Sequence, residues 1–115
     1  MLSSNQIQGI VQTIVDGYDP EKIYIFGSYV NGVPNEDSDL DICVIKETSD
    51  RAIDRRRTVR SLFDVHSYLY PMDIFVYTPE EFEDSKNVLN TLAYFIAKSN
   101  QLIYEKDVRS VYQEG

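Results

Sequence analysis

Two short groups of residues in the first half of the chain have the types and the spacing to handle phosphate and a metal ion. Gly27 and Ser28 follow the apolar run 22–26, and ten residues after them comes Asp39, followed by Asp41. A glycine lets phosphate approach the backbone, while a serine hydroxyl and the free N–H groups of a following helix can donate hydrogen bonds to it. This chemistry suits the movement of a nucleotidyl group.

The two aspartates stand at the start of an apolar run that continues through Ile45, which predicts a strand. Side chains alternate along a strand, so Asp39 and Asp41 leave the same face, with Cα atoms roughly 6.5–7 Å apart. Two like charges on an apolar strand lower its stability unless a cation lies between them, and oxygen ligands suit Mg²⁺ or Mn²⁺. The alternative is a solvated pair on an edge strand.

Two other phosphate-binding or metal-binding motifs use the same residues, and both fail. The loop after the first strand begins like a Walker A loop, but Val33 and Pro34 stand where lysine and Ser/Thr are required. The acids from Asp37 onward have the first three spacings of an EF-hand. Ile42 replaces its turn glycine, however, and Thr48 replaces its closing glutamate.

The Gly-Ser pair, the ten-residue interval and the Asp39-x-Asp41 pair resemble the nucleotidyltransferase superfamily typified by DNA polymerase β. The small size is similar to that of the minimal nucleotidyltransferases (MNT). These include the MntA-type antitoxins, whose genes commonly sit beside one for an all-helical HEPN-domain toxin. The resemblance covers about residues 7–104. It implies an α/β (α+β) chain with the polymerase β-like fold, in which a small mixed β-sheet packs against helices.

The resemblance also implies a third carboxylate on a later strand, and Asp73 in the run 70–77 is the candidate. By this likeness Asp39, Asp41 and Asp73 are the catalytic and metal-binding acids, while Gly27 and Ser28 bind the nucleotide. The alternative for Asp73 is an ordinary acid on an edge strand.

The reaction that the resemblance implies is metal-assisted nucleotidyl transfer. Asp39 and Asp41 would hold Mg²⁺ (or Mn²⁺) against the phosphates of ATP or another nucleotide. Asp73 would help hold a second ion ~3.5–4 Å away that activates an acceptor hydroxyl. The acceptor would be a hydroxyl, such as that of a tyrosine, on a HEPN-type helical partner encoded nearby. Two alternatives remain open: a nucleotide-binding antitoxin that acts by contact, and a small-molecule transferase of the aminoglycoside type.

One segment departs from the family pattern. Many relatives carry an arginine shortly after the Gly-Ser pair, whereas residues 29–32 contain none. The basic residues cluster instead in residues 51–60, which include five arginines. A solvated helix face is the simplest interpretation, and a triphosphate clamp or a contact with the partner is the alternative.

Composition limits the other function classes. The 115 residues, 43% of them apolar, predict a single domain over 1–115, so the acceptor should bind from outside. A formal charge of −8 argues against duplex DNA binding. No membrane span or leader is evident, so we expect a cytoplasmic protein in which Cys43 is a buried thiol. The oligomeric state stays open.

The elements that must position these residues alternate between helix and strand. We expect a helix capped by Ser3 or Ser4 and ending at Gly17, and a second capped by Ser49 or Asp50 and running to about residue 68. The sequence Thr78-Pro79-Glu80-Glu81 predicts a third helix start. A fourth helix should span residues 88–96, and an edge strand residues 101–104, before a frayed tail. His66 is predicted to be a packed or surface histidine.

Overall fold

The apolar runs and capping residues divide the chain into alternating helices and strands. The structure is a computed structural model, and it describes residues 2–32, 38–63, 72–98 and 100–106. Its helices are α1 (Ser4–Tyr18), α2 (Ser28–Asn31), α3 (Ala52–Arg60), α4 (Pro79–Ser85) and α5 (Leu92–Lys98). Its strands are β1 (Lys22–Phe26), β2 (Leu40–Ile45), β3 (Met72–Tyr77) and β4 (Asn100–Glu105).

The four strands form one mixed sheet in the order β3-β2-β1-β4. β1 runs antiparallel to both β2 and β4, whereas β2 and β3 are parallel and are joined through α3. A parallel pair needs such a crossover, because its second strand must start again at the same end of the sheet. The predicted small mixed sheet packed against helices is confirmed, and β4 occupies an edge as expected.

Both faces of β2 are buried, which explains its continuous apolar sequence. Leu40, Ile42 and Val44 face a core that includes α1 and Val59 of α3. Cys43 and Ile45 face a second cluster, which the helices α4 and α5 cover. Burial raises the pKa of the Cys43 thiol to about 12, as the prediction of an inert core thiol requires.

Helix α1 begins as predicted but ends later. Ser3 caps it in a capping box with Gln6. Gly17 does not stop the helix, which continues to Tyr18 before Asp19 takes the left-handed conformation, with φ 50°. A Cβ at Gly17 would lie 2.6 Å from a methyl carbon of Leu62. This glycine therefore permits close packing instead of ending the helix.

The second predicted helix starts later than expected. Ser49 and Asp50 do not cap it, since its N-cap residue is Arg51. The Asp50 amide donates instead to the Thr48 hydroxyl at 3.0 Å, which forms a local turn. Helix α3 begins at Ala52 and ends at Arg60. The predicted continuation to residue 68 extends beyond residue 63 and so lies partly outside the described residues.

The helix predicted over residues 88–96 is shorter than expected. Val88 and Leu89 lie in a turn before α5 and are 51% and 70% exposed. Asn90 has a φ of 67°, which a right-handed helix cannot contain. The Thr91 hydroxyl then accepts a hydrogen bond from an amide of the first turn of α5, so the helix begins at Leu92.

Helix α4 starts where the sequence predicts. Thr78 and Glu81 form a reciprocal capping box around Pro79. In the ranges that the structure describes, none of the helices combines the length and the hydropathy that crossing a bilayer requires. The predictions for His66 and for the tail beyond residue 106 concern residues outside those ranges.

Candidate active site

The register of the sheet brings the predicted site residues to one of its ends. Asp41 of β2 lies opposite Asp73 of β3 and, on its other side, opposite Phe26 of β1. Neighbouring strands lie about 4.8 Å apart, so the two acids are adjacent across the parallel pair. Gly27 directly follows Phe26. We call Gly27, Ser28, Asp39, Asp41 and Asp73 the acid end of the sheet.

Gly27 and Asp41 are fitted to one another. Gly27 has a φ of +80° and a ψ of −150°, a conformation that side chains rarely adopt. A Cβ there would overlap Oδ2 of Asp41 and would lie 3.2 Å from its Cγ. The carboxylate therefore points at the turn after β1, which the sequence assigned to phosphate. This contact links the Gly-Ser pair physically to the Asp-x-Asp pair.

Ser28 opens α2 directly after that turn. Gly27 is the N-cap of this four-residue helix, and the Val30 amide donates to its carbonyl oxygen at 3.0 Å. The hydroxyl of Tyr29 accepts a hydrogen bond from the amide of Leu2 at 2.9 Å. Tyr29, which the sequence did not single out for a role, thus fastens the start of the chain to the helix that carries Ser28.

Burial and crowding make Asp41 harder to ionise than an ordinary aspartate. Loss of hydration contributes most to its raised pKa, followed by the negative charges of Asp73 and then Asp39. A bound cation would offset all three effects. Carboxylate oxygens are the ligands that Mg²⁺ and Mn²⁺ prefer, so the residue types of the adjacent Asp41 and Asp73 suit a divalent ion.

The acids do not yet form a closed ligand set. In residues 2–32, 38–63, 72–98 and 100–106, no three acidic, histidine or cysteine side chains are close enough together to hold a metal ion. Asp39 precedes β2 and is exposed. The metal-binding role of Asp39, Asp41 and Asp73 stays a prediction. Asp73 lies on the edge strand β3, so the alternative that it is an ordinary acid of an edge strand also stays open.

Arg55 does not belong to a solvated helix face. Its side chain is buried and grips Glu81 with two hydrogen bonds, of 2.7 and 3.1 Å. Its Nε also donates to the backbone oxygen of Asp50 at 2.7 Å. Spacing along α3 could not reveal this pair, because its members are 26 residues apart. Arg55 is a structural residue and is not free to clamp a nucleotide.

A cavity of about 680 Å³ lies at the opposite end of the same sheet face. Lys22, Tyr24, Phe82 and Lys86 contribute to its wall. None of the acid-end residues lines it, so we assign the candidate chemistry to the acid end in spite of the size of this cavity.

Comparison with known proteins identifies the family of the chain. Residues 8–109 match the family described as "Polymerase beta, Nucleotidyltransferase". A protein of Methanocaldococcus jannaschii described as a "putative protein adenylyltransferase" is 34% identical over 92 residues. The match covers 79% of this chain and 63%, less than two thirds, of that protein.

Two solved structures share the fold at low identity. One is a toxin-antitoxin with AMP-PNP, with a TM-score of 0.62, 20% identity, and coverage of 93% of this chain and 86% of the other. The second is a tri-AMPylated Shewanella oneidensis HEPN toxin in complex with an MNT antitoxin. Its TM-score is 0.54, with 19% identity over 93% of this chain and 83% of the other. With its matching sequence and fold, this chain belongs to the polymerase β nucleotidyltransferase family.

Proposed function

We propose that this protein is a metal-dependent nucleotidyltransferase that transfers AMP from ATP to a hydroxyl of a partner protein. We further propose that the partner is a HEPN-type helical toxin and that the modification makes this chain its antitoxin. The observation that carries the proposal is the row formed by Phe26, Asp41 and Asp73 across three neighbouring strands, with Gly27 directly after Phe26. It combines a place for phosphate with adjacent carboxylates at one end of a sheet.

In this proposal Asp39, Asp41 and Asp73 hold Mg²⁺ or Mn²⁺. When bound, the ion neutralises phosphate charge and lowers the pKa of the attacking hydroxyl. Ser28 and the backbone that follows Gly27 bind and orient the phosphates. The raised pKa of Asp41 supports this arrangement. Burial and neighbouring negative charges disfavour its ionised form, and a bound cation would stabilise that form.

The transfer itself is a displacement at the α-phosphorus. The acceptor oxygen forms a bond to that phosphorus while the bond to the oxygen bridging the α- and β-phosphates breaks. Pyrophosphate leaves, and the hydroxyl proton passes to solvent. The residues of the acid end contribute chiefly by position and charge, which is what phosphoryl-group chemistry requires of a protein.

Two comparisons support a protein as the acceptor. The Methanocaldococcus jannaschii relative is described as a protein adenylyltransferase, and one structural neighbour pairs an MNT antitoxin with a HEPN toxin that carries AMP groups. The use of ATP would place the reaction in the cytoplasm.

The direct test is to incubate the protein with Mg²⁺, ATP labelled at the α-phosphate and the HEPN-type protein encoded beside it. We expect label on that protein, and no label with Asp41→Asn. Asp84→Asn is the matched control, since Asp84 is an exposed acid on α4 that does not belong to the acid end. This variant should label the partner as the wild type does.

The same experiment can contradict the proposal. If the partner binds tightly but never carries label, the protein acts as an antitoxin by contact alone. If a small aminoglycoside-type hydroxyl compound is labelled and the partner is not, the acceptor class is wrong.

A further inference from the structure

Three arginines of α3 form an exposed basic surface beside the acid end. We call Arg56, Arg57 and Arg60 the arginine face. All three are exposed, in contrast to Arg55, which directly precedes Arg56 and is buried. Together with Ile53 and Ser61 they line a cleft of about 570 Å³.

Two of these arginines contact β3, one at the residue before Asp73 and one at a residue after it. The guanidinium of Arg56 lies 5.5 Å from the ring centroid of Phe75. Phe75 follows Asp73 by two positions, so both side chains leave the same sheet face, about 6.5–7 Å apart along the strand. Arg60 donates to the backbone oxygen of Met72, the residue before Asp73, at 3.1 Å. The arginine face is therefore fixed next to the third acid.

The strand order separates the arginine face from the predicted phosphate site. Gly27 and Ser28 follow β1, on one side of Asp41, whereas Asp73 lies on its other side, on the edge strand β3. A nucleotide bound at Gly27 and Ser28 would lie toward β1. The arginine face lies beyond Asp73, on the side away from that nucleotide.

The arginine face differs from the other arginines of α3 in its ion pairing among the described residues. Arg51 pairs with Asp54 and Arg55 with Glu81. Among the described residues, no carboxylate lies within 4.0 Å of the guanidinium groups of Arg56, Arg57 or Arg60. Guanidinium forks bind carboxylates in pairs of hydrogen bonds. The formal charge of −8 disfavours a long nucleic acid, whose affinity depends on neutralising many phosphates.

We propose that the arginine face docks an acidic segment of the acceptor protein and so aims the acceptor hydroxyl at the Asp73 side of the acid end. The inference rests on the proposed function for the role of that hydroxyl. Docking of this kind would act by proximity, because it converts a collision of two proteins into a positioned step.

A glutamate-tyrosine copolymer with a fluorescent label is a suitable probe, since it supplies carboxylates and hydroxyls without requiring the natural partner. We expect fluorescence anisotropy to report binding to the wild type. The triple variant Arg56→Gln/Arg57→Gln/Arg60→Gln should weaken binding at least tenfold. Arg51→Gln, which changes an exposed arginine at the N-terminal end of α3, should weaken it less than twofold. The melting temperature with Mg²⁺ and ATP should rise equally in all three proteins.

Arg57→Gln alone keeps the test informative if the triple variant does not fold, because Arg56 and Arg60 retain their contacts with β3. It should weaken copolymer binding about threefold. Unchanged copolymer binding in the folded variants would overturn the inference, and so would a loss of the Mg²⁺ and ATP effect in the triple variant, which would identify a triphosphate clamp. Arginine-dependent binding of the copolymer, with no transfer of labelled AMP to the partner protein by the wild type, would support the docking surface while refuting the proposed function.

Discussion

Near the two ends of β3, two carboxylates have pKa values that are shifted in opposite directions. At its start Asp73 lies beside Asp41, where three carboxylates share one region and the pKa of Asp41 is raised. Just beyond its end Glu81 receives two hydrogen bonds from Arg55 and one from the amide of Thr78. These contacts lower the pKa of Glu81, with the Arg55 hydrogen bond contributing most.

The difference separates a charge that stabilises the fold from charges for which we propose a ligand. The chain itself supplies every partner that Glu81 and Arg55 need, so their interaction stabilises the junction of α3 and α4. At the acid end the described residues give Asp41 like-charged neighbours, which destabilise the ionised fold. Because this repulsion does not stabilise the fold, it supports the cation-binding role that we propose for the acid end.

The largest effect that this comparison predicts is on the activity of Asp41→Asn. Transfer should fall at least about a hundredfold, because even the outer partners of metal ligands contribute 10–100-fold to affinity or activity. The metal-free variant should melt at the same temperature as the wild type or higher, since a repelled charge is removed. Calorimetry and the labelling assay measure both quantities. A strongly destabilised variant would instead make Asp41 a structural hydrogen-bond acceptor.

The corresponding change at the other end is Glu81→Gln. Glutamine can still complete the capping box, so the substitution removes the charge that Arg55 binds while leaving the cap. The Glu81 side chain is 46% exposed, and solvent reduces the strength of the pair. We expect unfolding in urea to require about 1 kcal/mol less, with transfer activity within about twofold of the wild type. A large loss of activity without loss of stability would contradict the division between the two ends.

The pH dependence of stability should have opposite signs at the two ends. The lowered pKa of Glu81 stabilises the fold above the ordinary carboxyl pKa of 4.5, and this contribution is lost as pH falls through the folded-state pKa. The wild-type advantage over Glu81→Gln should therefore shrink in acid. The raised pKa of Asp41 stabilises the fold only at low pH, so the stability of the wild type relative to Asp41→Asn should fall as pH rises. Urea unfolding at several pH values, without metal, measures both trends.

The sequence predicted the parts of the structure that local chemistry determines. Strand β1 occupies residues 22–26 as the apolar run indicated, and the capping box of α4 lies where the Thr-Pro-Glu-Glu sequence placed it. Cys43 is fully buried on β2, as its apolar neighbours implied. Leu40, Ile42 and Val44 contribute to one core cluster, as the alternation of side chains along a strand requires.

The remaining features depend on contacts between distant segments. The pairing of Asp41 with Asp73 is a matter of strand register, which alternation alone does not fix. The fit of the Asp41 carboxylate against Gly27 depends on that same packing. Arg55 looked like part of a basic helix face because its partner, Glu81, lies on another helix. The left-handed Asn90 interrupted an apolar pattern that otherwise predicted a longer helix.

The central claim is that the acid end binds a divalent ion together with a nucleotide. Isothermal titration of Mn²⁺ into the protein with a non-hydrolysable ATP analogue tests it most directly, in the wild type, Asp41→Asn and Glu81→Gln. We predict that the wild type and Glu81→Gln bind with similar affinity, that binding requires both the ion and the nucleotide, and that Asp41→Asn binds at least about tenfold more weakly. Absence of binding by the folded wild type, or equal binding by Asp41→Asn, would contradict the account.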